Sequence, residues 1–318
     1  MRRKKSDTEW LRSQLETVAS LGRRVGRIRH ETSHEYGPHT ALKLAALNHC
    51  LEVFLQVARK HVDHYHDFDS AIYVDLFAGC GATRVPQTGD WLAGSPILAA
   101  GGRLPFDKMI CIEKDARNAE ALETRLSLFQ GREWKVLRGD CNEIARWLKA
   151  SVHSKNPLVF VFVDPQGMEI HWPTLEALSR QFRCMDILFN FTYGAERVLA
   201  ELRAGGALGQ AIMTAFAGPD WPLLLLDPDK DVVDFVEQKI SSVLGRPVGD
   251  RVLIRDIENR PRYFLLAHVR QTKGESGFFR GYSAMLSRVS ALKPTEVLGT
   301  LNDIFGRSLS AFGPESDR

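Results

Sequence analysis

Four acidic residues each close an apolar run, and their positions set the chemistry on offer. Asp75 ends "AIYVD", Glu113 ends "KMICIE", Asp140 follows "WKVLRG" and Asp164 ends "PLVFVFVD". In an open α/β sheet the ligand crevice lies outside the strands' carboxyl ends, so such acids face whatever enters it. Phe77, Gly79 and Gly81 follow Asp75 as a G-x-G turn, where glycine lets the backbone approach a ligand closely. Glu113 can accept hydrogen bonds from both ribose hydroxyls, as an acid does there in dinucleotide-binding folds. It stands 32 residues after Gly81, against ~20 in a dinucleotide fingerprint. The excess reads as a loop, "ATRVPQTGDWLAG", before a late helix with Ser95 as N-cap and Pro96 at its first position. Asp140 can accept from an adenine amino group while the Cys141 amide donates to a ring nitrogen, and Asp140 equally suits an N-cap. Asp164, Pro165, Gln166 and Gly167 put a carboxylate and free carbonyls at the rim, although Pro and Gly also make a plain turn. The acids say nucleoside. The missing third glycine of G-x-G-x-x-G and the absence of G-x-x-x-x-G-K-[ST] argue against a pyrophosphate or triphosphate.

Strands and helices in alternation must position these groups. "AIYVDLF", "KMICIEK", "EWKVLRG", "PLVFVFVD" and "CMDILFNF" read as strands, separated by "SPILAAGG", "ARNAEALETRLSLF", "CNEIARWLKASV" and "WPTLEALSRQF" as helices. Several strands are apolar throughout, the mark of a parallel sheet covered on both faces. The expectation is a doubly wound, Rossmann-like α/β fold with a mostly parallel sheet, N-terminal helices and a helical insertion. Residues 1–40 read as a basic arm outside the core, 41–193 as the cofactor-binding core, 194–250 as an insertion or cap, and 251–318 as strands and helices completing the domain. "RPRYFLLAHVRQTK" supplies a further strand.

The bulk composition narrows the class. With 318 residues, 44% hydrophobic and 25% charged, the chain is an ordinary globular one. No apolar run approaches a membrane span and the N-terminus lacks a signal-peptide core, so the expected location is cytoplasmic, with no membrane partner. The five cysteines are scattered without a C-x-x-C pair, so neither a metal site nor a disulfide framework is expected. "HVDHYHD" reads as a solvated helix end. Net charge is +3, but Arg2, Arg3, Lys4, Lys5, Arg12, Arg23, Arg24, Arg27 and Arg29 crowd the first segment. Such an arm suits RNA or DNA, and suits a solvated tail equally.

Two glycines with acids on the following strands look like the S-adenosylmethionine site of class I methyltransferases, from about Tyr73 to Asn190. A narrower likeness is carried by "YVDLFAGCG…GSPILA…CIEKDARNAEAL…GDCNE…FVFVDPQG…DILFNF". This series resembles the three-Cys-motif partner family (TcmP), and the late "GSP" helix and "LFNF" are its more family-like features. The resemblance implies that the sheet has seven strands, and it implies S-adenosylmethionine as cofactor and a companion three-Cys-motif radical-type protein as partner.

Three methyl acceptors compete. Cytosine-C5 enzymes also begin "DLFAGCG", but they attack through a Pro-Cys cysteine, and no cysteine here follows a proline. Adenine-N6 enzymes use (D/N)-P-P-(Y/F/W); Gln166 and Gly167 replace its last two residues, leaving Trp172 or Phe191 as candidate stacking partners or as core. D-P-x-G looks like the fourth motif of tRNA guanine-N2 methyltransferases. The expected activity is therefore methyl transfer to an exocyclic amine of a nucleic-acid base, with Asp164 orienting the amine. The alternatives are a catalytically silent nucleotide-binding module, and a methyltransferase of small molecules or proteins. Arg84 and the loop 83–94 could close over the cofactor or form a plain surface loop. Asn190 and Thr192 could line the acceptor pocket or simply pack, and Lys114 and Asp115 read as solvated helix-start residues.

Overall fold

Ser70–Asp75 (β1) is buried at every position, which a strand sustains only when both faces of its sheet are covered. The computed structural model describes residues 5–35, 37–85, 89–269 and 277–306. In it β1 is central to a sheet with Lys108–Glu113 (β2), Trp134–Arg138 (β3), Pro157–Val163 (β4), Cys184–Thr192 (β5), Val248–Arg255 (β6) and Pro261–Val269 (β7). Their order is β3-β2-β1-β4-β5-β7-β6. Pairs from β3 to β5 are parallel, and β7 runs antiparallel to both β5 and β6. This is the expected doubly wound, Rossmann-like sheet of seven strands. β6 starts within the segment expected to be helical, because only two of its eight residues are buried and the apolar signal is weak.

Alternate residues of each strand feed two apolar layers. Tyr73, Phe160 and Phe162 face one, and Val74, Val159 and Val161 face the other. Against the first lie α1 (Asp7–Val25), α2 (Pro38–Arg59), α3 (Ser95–Gly101), α4 (Ala116–Leu126), α11 (Gly277–Ala291) and α12 (Pro294–Ile304). The second is covered by α5 (Cys141–Ile144), α6 (Leu148–Ser151), α7 (Trp172–Gln181), α8 (Gly194–Arg203), α9 (Gln210–Ala217) and α10 (Val232–Ser242). Leu199, Met213, Phe216 and Phe235 make this stretch of residues 194–250 part of the sheet's cover.

The described residues of 1–40 do not form an arm outside the core. Ser6 and Glu9 close a capping box on α1, whose Leu11, Leu15, Val18 and Ala19 are fully buried. The helix approaches Trp91 so closely that a Cβ at Gly22 would lie 2.3 Å from the Trp91 carbonyl oxygen. Several arm cations are engaged within the protein. Arg12 pairs with Asp303 at 2.5 Å, and Arg24 donates to the Leu128 carbonyl at 2.9 Å while lying 4.6 Å from the Phe129 ring centroid. Periodicity alone understates α1 because polar residues fill the turns between its apolar positions. Arg2, Arg3 and Lys4 lie outside the described residues.

Two further expectations change. The "ATRVPQTGDWLAG" loop is a hairpin of Ala82–Arg84 and Trp91–Ala93, joined by His34–Glu35 in a three-stranded sheet. Strands of two or three residues are too short to show alternation, and residues 86–88 lie outside the described residues, as do 270–276 at the end of "AHVRQTK". Secondly, a helical stretch, His39–His64, is long and apolar enough in composition to cross a bilayer, but most of it is buried as a core helix. At its end His61 pairs with Asp67 at 2.9 Å on the surface, in keeping with a solvated helix end.

If α1 belongs to the core, Leu15→Ala should destabilise the protein by about 2–5 kcal/mol, the range for a buried leucine. Urea unfolding measures this, and a loss below about 1 kcal/mol would place α1 outside the cooperative unit.

Candidate functional site

β1 and β4 are neighbours, yet the chain leaves β1 toward α3 on one layer and β4 toward α7 on the other. That divergence opens a crevice at the strands' carboxyl ends. A cavity of about 860 Å³ fills it, walled by residues 76–83, 112–115, 139–142 and 164–166 and by Asn190 and Thr192. Phe77, Gly79, Gly81, Ser95, Glu113, Asp140 and Cys141 all line it, as do Asp164, Pro165 and Gln166. Two expected site residues, Asp75 and Gly167, are not among its lining residues.

Asp75 lies beneath the floor, fully buried. Its carboxyl accepts from the Tyr73 hydroxyl at 2.7 Å, from the Phe77 amide at 3.2 Å and from the Ser95 hydroxyl. Burial pushes its pKa up to about 7 against the pull of the Ser95 and Tyr73 hydroxyls. It braces the strand end, the glycine turn and the start of α3. Ser95 is accordingly the first residue of α3, not its N-cap, which is Gly94.

The turn above it needs glycine. Gly79 and Gly81 have φ of +61° and +82°, and a Cβ at Gly81 would also sit 2.8 Å from Leu122 Cδ1. The Gly79 amide donates to Glu113 Oε2 at 2.7 Å and the Asp115 amide to Oε1 at 2.8 Å. Each oxygen keeps a second acceptor position, so the carboxylate can still bind two hydroxyls. Asp140 both caps α5, accepting from the Asn142 amide at 2.9 Å, and lines the cavity. Partial burial would raise its carboxyl, but the Asn142 amide and the Lys114 ammonium outweigh it and hold it below the usual range. Cys141 is buried and its thiol is pushed up to about 12 by burial and then by Asp140, so it is no nucleophile at neutral pH. Asp115 is the N-cap of α4 and, with Lys114, is exposed at the rim.

The opposite wall centres on Asp164. Lys43 Nζ donates to both its oxygens, at 2.8 and 2.6 Å, and Asn190 Nδ2 donates to Oδ1 at 2.6 Å. Asn190 is only 6% exposed, and among the described residues its own Oδ1 has no partner. Lys43 arrives from α2, and the motifs of the sequence do not include it. Its one signal is a cation between Leu42 and Leu44 in an otherwise apolar helix. Of the two readings open for Trp172 and Phe191, core is the one found: Phe191 is fully buried, and Trp172 is 2% exposed with its indole donating to Glu176 at 2.6 Å. The aromatic walls are Phe77 and Tyr263, the latter donating to the His39 carbonyl at 2.7 Å with Lys43 Nζ 5.7 Å from its ring centroid. His34 and His39 also line the cavity. Burial lowers both imidazoles, His39 to about 4 with help from Arg262 and Lys43. From the hairpin, Thr83 and Gly94 reach the cavity, whereas Arg84 is exposed and is not among its lining residues.

No family model matches the chain, and no curated protein matches it in sequence. Solved structures do align with it. A Legionella pneumophila protein of family DUF519 is 11% identical, covering 82% of this chain and 91% of its own, at a TM-score of 0.42. An rRNA methylase from Streptococcus thermophilus is 11% identical, with 70% and 94% covered and a TM-score of 0.33. Trm1 from Pyrococcus horikoshii, solved with S-adenosyl-L-methionine, is 15% identical, with 79% and 58% covered and a TM-score of 0.36.

The Asp75 pKa has a signed consequence. Its folded value, about 7, stands above the unfolded 3.8, so the native state holds the proton longer. Stability is greatest with Asp75 protonated and drains away between about pH 4 and pH 7 as the unfolded chain sheds its proton first. Asp75→Asn should remove this slope. In urea unfolding at several pH values the variant should gain on the wild type up to about pH 7 and then level off, by at most about 1.4 kcal/mol per pH unit. A constant difference would contradict the buried-acid assignment.

Proposed function

We propose that the chain is an S-adenosylmethionine-dependent methyltransferase acting on an exocyclic amine of a nucleic-acid base. The residues present suit the cofactor: a glycine turn bare of side chains, Glu113 with two acceptor positions left, and Asp140 beside the Cys141 amide on the next strand. When bound, that cofactor supplies an electrophilic methyl on a sulfonium.

One observation carries the acceptor: a buried acceptor oxygen without a partner among the described residues, Asn190 Oδ1, stands beside the Asp164 carboxylate. Leaving a buried acceptor unpaired costs about 1–3 kcal/mol, which a ligand donor recovers. Two acceptors side by side suit a primary amine that offers two N–H groups. Asp164 and Asn190 would take one each and turn the nitrogen lone pair away from themselves, toward the cofactor side of the cavity. The gain is alignment and proximity. Asp164 also stands ready for the proton that the methylated nitrogen releases. Lys43 neutralises the carboxylate's charge and fixes its orientation. Arg197, Arg262 and Lys114 along the cavity are cations suited to flanking phosphates, and a base in a duplex would first have to be flipped out.

The Lys43 ammonium favours a second reading. It occupies the place an acceptor amine needs, which is what a silent nucleotide-binding module serving a three-Cys-motif partner would look like. Calorimetry with S-adenosylmethionine and a methyl-transfer assay on RNA and DNA separate the two. Glu113→Ala should weaken cofactor binding by about 1.5–3 kcal/mol for each ribose hydroxyl deprived of its charged acceptor. Asp164→Ala should abolish transfer with cofactor affinity retained. Cofactor binding by the wild type without transfer to either nucleic acid, unchanged in Lys43→Met, would select the module.

A further inference from the structure

Among the described residues Arg125 is one of the largest side chains with no exposure at all, and it belongs to none of the motifs above. It sits in the last turn of α4, where an arginine would ordinarily reach solvent. Its guanidinium meets backbone carbonyls from two separate places. Nη1 donates to Cys80, in the middle of the G-x-G turn, at 2.6 Å. Nη2 donates to Ile28, Arg29 and Thr32 at 2.9, 3.1 and 2.8 Å, and Nε to Ile28 at 3.2 Å. Among the described residues no carboxylate hydrogen-bonds to it. A guanidinium buried without an anion is stable only because carbonyl dipoles surround it, so removing it takes the donor from the Cys80, Ile28 and Thr32 carbonyls together, while the Arg29 carbonyl keeps the Thr32 amide.

The segment it gathers is irregular. Arg29 has φ +50°, and the Thr32 amide returns to the Arg29 carbonyl at 2.9 Å. This turn leads directly into His34, which pairs with Thr83 next to the glycine turn. A Cβ on Gly79 would come within 3.4 Å of His34 Nε2, so the imidazole forms the wall facing that turn. One buried cation thus ties the turn that would cradle the cofactor to the segment that closes over it.

We propose that Arg125 is a positioning residue for cofactor binding, holding the 79–81 turn and the 28–34 segment in register so that affinity depends on it. This rests on the cofactor reading above. Calorimetry with S-adenosylhomocysteine and S-adenosylmethionine on wild type, Arg125→Met, Arg125→Lys and Leu126→Ala tests it. Leu126 is a fully buried apolar neighbour on the same helix and serves as the control for simple destabilisation. Arg125→Met should weaken binding about tenfold or more, with partial recovery in Arg125→Lys, while Leu126→Ala lowers the melting temperature without changing affinity. Wild-type binding with equal affinity in both arginine variants overturns the proposal and leaves the cofactor reading standing. Absence of wild-type binding overturns both. Should Arg125→Met fail to fold, hydrogen exchange on the wild type decides. Cofactor should protect 28–34 and 78–82 together, and protection of 78–82 alone overturns the coupling.

Discussion

Parallel strands deliver all their carboxyl ends to one edge, and at β1 and β4 the chain departs to opposite sides of the sheet. That divergence is the constraint from which the rest follows. It leaves a gap no helix can cover, and the residues ending β1, β2, β3 and β4 line it or lie under it whatever their identity. Evolution has only to choose those residues. Here three of the four strand-end acids, Glu113, Asp140 and Asp164, reach the cavity and the fourth, Asp75, is sealed below.

Each acid is handled differently by its surroundings. Glu113 is held by two backbone amides, Asp140 by its own helix start, and Asp164 by an ammonium and a carboxamide. Among the described residues Asp75 has hydroxyls and one amide but no cation bonded to it, so desolvation dominates it. The contrast separates roles that sequence treats as equal. Three acids keep acceptor capacity toward the cavity, whereas the fourth commits its own to the fold.

What was legible follows from chain distance. The strands, Glu113, Asp140 and Asp164 are readable because an apolar run and the polar residue ending it are adjacent in sequence. The sheet layers are readable for the same reason. Lys43, His34, Tyr263 and Arg125 are not, since they reach the site from elements whose placement depends on long-range packing. Arg125 lies within an unremarkable amphipathic helix, and nothing local says that its guanidinium points inward. Trp172 and Phe191 are ambiguous in sequence for a different reason. An aromatic ring at either position suits stacking or packing equally in sequence, and the second apolar layer claims both. The three-stranded sheet is unreadable because it joins His34–Glu35 to a hairpin nearly fifty residues on.

The seam between α1 and the last two helices has a temporal side. Arg12 and Asp303 are 291 residues apart, Asp7 and Arg288 are 281, and both bonds span almost the whole chain. During synthesis α1 and α2 therefore emerge with their apolar faces bare, and their final wall arrives only with the last helices. A polypeptide built this way closes slowly and late, and in the interval it presents sticky surface of the sort that holding chaperones bind.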